Sequence, residues 1–230
     1  CLLTLIGRGE VLEMPRVYLL QPYNPNRRIV IMLHGLASSP EAWINLANEV
    51  MGDETLRRNY QIWQVYYPTN APIAFNNVEI RKAIQKTLDH FDPESTSRAS
   101  NNIILIGHSM GGILSRLMVS SSEDRLWEAF LKKYPLQGNR LETARKELGP
   151  YMMFDALPQV NRVIFIATPH KGTPLAEIAP VRWIAGIVTV PLSVLGRFTE
   201  VAKLLVDPGS ANPVSLTRPF NSIDNLSSHD

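Results

Sequence analysis

The sequence predicts an α/β architecture: a mostly parallel sheet with helices on both faces. Three observations carry that expectation. Short apolar runs rich in β-branched residues alternate with helical patterns four times along the chain. The strongest of these runs are continuous rather than alternating, as in strands covered on both sides. One of them, Asn102 to Ile106, passes at once into Gly107-His108-Ser109-Met110-Gly111 and then into a helical pattern. That order describes a buried strand, a one-residue bend and a helix packed back against the strand.

In chain order, Leu2–Ile6 and Arg16–Leu20 read as short strands around a turn bearing Gly, Glu and Pro, and residues 21–26 as a turn cluster. Arg28–Leu33 reads as the central parallel strand, ending in His34-Gly35-Leu36-Ala37-Ser38-Ser39-Pro40. A helix over Glu41–Met51 follows, with Ser39 as its N-cap and Pro40 at its first position. Tyr60–Tyr67 is the next strand, closed by Pro68, and the spacing over Asn77–Phe91 predicts a helix stopping before Pro93. After the Gly107–Gly111 bend a helix runs from Met110 to about Ser120. Residues 121–158 read as a polar, partly helical insertion broken at Pro135, Gly138 and Gly149-Pro150. Asn161–Ala167 is a further buried strand, leading into Thr168-Pro169-His170-Lys171-Gly172. Beyond it no strand pattern recurs: 175–206 are apolar at helical spacing and 207–230 are turn-rich and polar. The chain therefore divides into a sheet-bearing core, 1–174, and a helical and then polar segment, 175–230.

A chain of 230 residues, 45% hydrophobic and 19% charged, fits one domain with a substantial core. Its net charge of +2 gives no argument for nucleic acid or for an anionic membrane surface. The single cysteine, Cys1, excludes an internal disulfide framework and an all-cysteine metal site. Cys1 reads as a fragment boundary in preference to the lipid-carrying residue of a mature bacterial lipoprotein, and the location is undetermined, with the cell envelope or secretion favoured slightly over the cytoplasm. No 18 consecutive apolar residues occur; the nearest approach, Trp183 to Leu195, is short and carries Pro191.

The bend carries the chemistry. Gly-x-Ser-x-Gly alone arises by chance in about one chain in ten of this length, so the strand before it and the helix after it are what give it weight. There Ser109 is forced into a strained backbone, with the helix N-terminus favouring negative charge beside its hydroxyl. A serine hydroxyl needs a base to take its proton and donors waiting for the oxyanion. The N–H of Met110 opens the helix, and the His34-Gly35-Leu36 loop supplies a second donor from Leu36, with an ordinary strand-to-helix turn as the alternative. His34 shapes that loop; its imidazole is not the base. His108 leaves the bend in another direction and packs locally. His90 ends a polar helix. His170 lines the site or orders its loop, and His229 falls in the terminal segment. None of the five histidines makes a convincing base.

Taken together, His34-Gly35-Leu36, Gly107-His108-Ser109-Met110-Gly111-Gly112 and Ala167-Thr168-Pro169-His170-Lys171-Gly172 resemble the lipase-like α/β-hydrolases, close to bacterial serine esterases of that superfamily. The match in order and spacing runs from about residue 15 to 178. The resemblance implies the α/β-hydrolase fold, with the oxyanion loop after the third core strand, the nucleophile elbow after the fifth and the Ala-Thr-Pro-His segment after the sixth. It implies a helical lid next, a place that 175–206 fill, and then two strands carrying an Asp and finally a His. The sequence departs by ending first, since Asp224 and Asp230 have no strand ahead of them. The expectation is that acid and base lie beyond Asp230, and that a chain ending there is a weak catalyst.

The activity so implied is hydrolysis of carboxylic esters, small-molecule or lipid, through an acyl-enzyme on Ser109, with no cofactor, no metal and no nucleic-acid partner. An apolar lid would line the site or make a peripheral membrane contact; a pair of core helices is the alternative. Two rivals stand beside this reading: acyl transfer to an acceptor other than water, and a catalytically inactive α/β-hydrolase used for scaffolding or binding. A dinucleotide site fails, because the glycines lack the Gly-x-Gly-x-x-Gly order.

Overall fold

A computed structural model describes residues 13–171. Cys1, the expected strand Leu2–Ile6, the 175–206 stretch, Asp224, His229 and Asp230 lie outside the described residues. Within them the strands are β1 (Arg16–Leu19), β2 (Arg28–Leu33), β3 (Tyr60–Tyr66), β4 (Ile103–His108) and β5 (Val160–Ile166). They form one sheet in the order β1-β3-β2-β4-β5. β1 runs antiparallel to β3, and every other pairing is parallel.

β2 lies at the centre because its residues supply apolar surface to both faces. Ile29, Ile31 and Leu33 join Trp63, Val65 and Leu105 on one side, where α3 (Ile73–Phe91) and α4 (Met110–Met118) cover them with Ile80, Ile84, Leu88, Leu114 and Met118. Val30 and Met32 join Ile62 and Ile106 on the other side, under Trp43 and Ala47. Ile29, Ile31, Met32 and Leu33 are fully buried, each stabilising the fold by roughly 1.5–3 kcal/mol. Two buried glutamines interrupt the apolar run of β3. One of them, Gln61, clamps the turn ahead of β2: its amide donates to Asn24 O (2.7 Å) and Arg27 O (2.8 Å) and accepts from Asn24 N (3.1 Å).

The expected helix over Glu41–Met51 begins as a 3-10 turn, Pro40–Trp43, and becomes α1 (Ile44–Gly52). Ser39 precedes it in extended backbone but does not cap it; its hydroxyl donates instead to the Glu41 carboxylate, which removes it from the helix N–H groups. A short helix not expected from the sequence, α2 (Glu54–Asn59), is capped by the Asp53 carboxylate on Leu56 N at 2.8 Å. α3 starts a turn earlier than the apolar spacing predicts. The Asn76 amide is buried and donates to Pro68 O (2.9 Å) and Ala71 O (3.3 Å), which holds that first turn.

The 121–158 insertion is a helical hairpin, α5 (Arg125–Lys133) and α6 (Gly138–Met152), with a small core of its own around Trp127, Ala144 and Leu148. Gly149-Pro150 does not break α6 where expected. Proline removes one N–H only two residues from the helix end, and Met153 N still closes on Gly149 O at 2.8 Å. Arg81 ties the hairpin to the core: its guanidinium donates to Asp155 O (2.7 Å) and to Leu117 O (2.8 Å), and its Nε to Asn77 Oδ1 (2.9 Å). β5 forms the edge of the sheet among the described residues and exposes Ile164, Phe165 and Ile166.

Strand and helix touch at the bend. A Cβ on Gly107 would lie 2.6 Å from Gly112 Cα and meet the Gly111 carbonyl closer still. Gly107→Ala should therefore lower the free energy of unfolding by about 2–3 kcal/mol in a urea titration. Gly52→Ala, at an exposed helix end with open space around it, should leave stability unchanged or raise it by about 0.5 kcal/mol.

Candidate active site

The carboxyl ends of β2, β4 and β5 lie side by side; β4 and β5 each run directly into a strained residue, and the loop after β2 carries a third. Positive φ is found at Ala37 (53°), Ser109 (51°) and Ala167 (47°), three of the five such non-glycine residues among those described. Each such conformation costs about 1–3 kcal/mol and persists only where the surroundings enforce it. At Ser109, with ψ −120°, two backbone bonds do the enforcing. Ser109 N donates to Ile166 O on β5 (2.9 Å), and Gly112 N donates to Ser109 O (2.9 Å).

Ser109 occupies the N-cap position of α4, where a serine ordinarily turns its hydroxyl onto the helix N–H groups. Here it makes no such bond, and the side chain is half-buried rather than sunk in the core. The N–H of Met110, first residue of α4, is one of the orphan donors of the helix start. A Cβ on Gly111 would lie 2.5 Å from His34 O and meet the Leu33 carbonyl too, so α4 begins directly against the end of β2. A Cβ on Gly35 would lie 3.2 Å from Ser109 Cβ. The loop carrying Leu36 therefore passes beside the serine, with Leu36 itself half-buried against the core cluster on the α4 side of the sheet.

The histidines separate by environment. His34 is fully buried, stacked on Tyr67 (centroids 4.3 Å, interplanar angle 10°), and its Nδ1 lies 3.0 Å from Gly35 O. A carbonyl only accepts, so Nδ1 carries the proton; Nε2 is buried without a partner. Burial pushes its pKa down to about 4, against smaller upward pulls from the Gly35 carbonyl and Glu41, which keeps the imidazole neutral at pH 7. Its Nδ1–H holds the loop, and its Nε2 makes no hydrogen bond to Ser109. His108 is exposed, with Nδ1 2.9 Å from where a Gly35 Cβ would sit. His170 is exposed at the same edge of the sheet, edge-on to Phe165 at 4.7 Å, with its N–H on Thr168 O at 3.0 Å. His90 lies exposed at the end of α3, away from this edge. Among the described residues no imidazole hydrogen-bonds the Ser109 hydroxyl, and no three His, Cys, Asp or Glu side chains converge to hold a metal.

The sequence reading missed Tyr67, Thr69 and Asn76. The Tyr67 hydroxyl donates to His34 O, and Ala37 N donates to Thr69 Oγ1 at 3.3 Å. Burial drives the Tyr67 phenol far above its ordinary pKa, so it remains a donor. The one sequence signal was Tyr67-Pro68-Thr69-Asn70 closing a strand beside the His34 loop.

The family described as PGAP1-like alpha/beta domain matches residues 24–132. No curated protein sequence matches the chain. Among solved structures, the mature form of Bacillus licheniformis lipase BlEst2 is similar at 18% identity over 91% of this chain and 62% of its own, with a TM-score of 0.43. Inhibited esterase B from Lactobacillus rhamnosis is 15% identical over 84% of this chain and 60% of its own, with a TM-score of 0.46. A carboxylesterase of the ammonia-oxidizing thaumarchaeon Nitrososphaera gargenis is 12% identical over 93% of this chain and 66% of its own, with a TM-score of 0.40. The chain thus spans about three fifths of the length of the first two.

The buried imidazole has a measurable consequence. The unfolded chain takes up a proton at His34 near pH 6.5 and the folded chain only near pH 4, so stability falls as pH drops through that window. The loss attributable to His34 should approach about 3 kcal/mol. Urea titrations of wild type and His34→Phe between pH 4 and 7 should show a shallower acid loss in the variant, and parallel curves would contradict the assignment.

Proposed function

We propose that the chain is a member of the lipase-like α/β-hydrolase superfamily and that it hydrolyses carboxylic esters through an acyl-enzyme on Ser109; the PGAP1-like match over residues 24–132 supports the first part of that reading. The observation carrying this reading is the strained Ser109 backbone, which holds a half-buried hydroxyl off the helix cap and beside the Gly35 loop.

In this mechanism Ser109 Oγ attacks the ester carbonyl carbon while a base takes its proton. The carbonyl oxygen becomes an oxyanion facing the Met110 and Leu36 N–H groups, with the α4 N-terminus adding a favourable field. Collapse expels the alcohol, which recovers the proton, and leaves Ser109 acylated. Water then attacks the acyl carbon, releasing the carboxylic acid and restoring the hydroxyl. The base and its orienting acid come from outside the described residues. His34 orders the oxyanion loop, while His108 and His170 line the rim.

The substrate class is a small-molecule or lipid ester. The apolar stretch at 175–206 serves in this reading as a lid following the 1–174 core, and it supplies the greasy surface an acyl chain needs.

A fluorophosphonate probe and p-nitrophenyl butyrate test the proposal on the intact protein. Wild type should be labelled at Ser109, and Ser109→Ala should lose labelling and about 10⁴-fold or more of the esterase rate. An unlabelled wild type, or a variant as active as wild type, would end the serine mechanism.

A further inference from the structure

The placement of the second oxyanion donor leads to a residue the proposed mechanism leaves unused. The peptide joining Gly35 and Leu36 is planar and trans, so its C=O and N–H point in opposite directions. The carbonyl of that peptide is held by the His34 Nδ1–H at 3.0 Å. Fixing this oxygen fixes the direction of the Leu36 N–H on the far side of the same plane. The His34 ring is set in turn by Tyr67. It lies flat on the phenol ring, with centroids 4.3 Å apart, and the Tyr67 hydroxyl donates to the carbonyl of His34 itself.

Both partners of this relay are fully buried, so neither side chain has water to satisfy it in another position. The next residue of the loop is secured from the same segment: Ala37, strained at φ 53°, donates its N–H to Thr69 Oγ1 at 3.3 Å. The Pro68 and Ala71 carbonyls on either side of Thr69 are pinned by Asn76 from the first turn of α3. The turn after β3 thus acts as a rigid abutment for the loop after β2.

We propose that Tyr67 is a positioning residue for ester hydrolysis, aiming the Leu36 N–H through the His34 imidazole, with Thr69 steadying the same loop through Ala37. This rests on the reading of Ser109 as nucleophile and Leu36 as oxyanion donor. A donor held this way is worth most in the transition state, when charge reaches the carbonyl oxygen, so its loss falls on kcat and spares KM.

Tyr67→Phe keeps the ring stack and deletes one hydroxyl; Thr69→Val deletes the acceptor for Ala37. Measured on the intact protein with p-nitrophenyl butyrate, Tyr67→Phe should lower kcat about tenfold or more with KM within about twofold, and slow fluorophosphonate labelling of Ser109 by a similar factor. Thr69→Val should lose about three- to tenfold in the same pattern. A residue that only stabilised the fold would lower the melting temperature and leave kcat per folded molecule unchanged. A kcat within about twofold of wild type for Tyr67→Phe, or for Thr69→Val should Tyr67→Phe not fold, overturns the proposal. Failure to label wild type is a separate result: it removes the Ser109 mechanism, and the role of Tyr67 falls with it.

Discussion

The structure depends on one close approach: α4 begins against the ends of β2 and β4 with no room for a single Cβ between them. At Gly107 the obstacle is the backbone of Gly111 and Gly112, and at Gly111 it is the carbonyls of Leu33 and His34. Backbone atoms cannot rotate out of the way as a side chain can, so these positions admit glycine alone without displacing the helix. The same squeeze leaves Ser109 no relaxed conformation. Its φ of 51° follows from a strand that must reverse into a helix within one residue, and the bond from Ser109 N to Ile166 O locks the reversal onto β5. The half-buried serine is fixed in place by packing made beneath it.

Electrostatics follow from the same geometry. A helix start placed at the carboxyl edge of three parallel strands presents N–H groups where those strands end in carbonyl-lined loops. In the proposed mechanism, negative charge developing on the ester carbonyl oxygen there would meet these N–H groups. The only buried imidazole among the described residues, His34, is held neutral by desolvation and adds no competing charge. The buried polar set behind the loop (Tyr67, Thr69 and Asn76) is tied mostly to backbone carbonyls and amides, so it secures chain segments rather than other side chains.

Features fixed by near neighbours were legible in the sequence. The β2 boundaries agree with the continuous run Arg28–Leu33, because strands buried on both faces carry no alternation to confuse them. The bend at Ser109 was legible because its requirements, glycine on either side and a helix after, lie within a few residues. Rules based on residue identity failed where another group competes for the side chain, where position in the helix matters, or where a distant partner decides. Ser39 has the identity of a cap, but its hydroxyl finds Glu41 first. The apolar spacing starts α3 at Asn77, yet bonds from the buried Asn76 amide to two backbone carbonyls of the preceding turn carry the helix back to Ile73. Pro150 reads as a stop, but so near the end of α6 it removes too little to end the helix. The Tyr67–His34 relay spans 33 residues of sequence and could not be seen without the fold.

The account stands on Ser109 Oγ forming a covalent bond to the acyl group. The most direct measurement is rapid mixing of the intact protein with excess p-nitrophenyl butyrate, acid quench and peptide mass spectrometry. One equivalent of p-nitrophenol should appear in a burst, and a butyryl mass should be found on the peptide containing Ser109. A steady release without a burst and without an acylated peptide, or a butyryl group on any other residue, would contradict it.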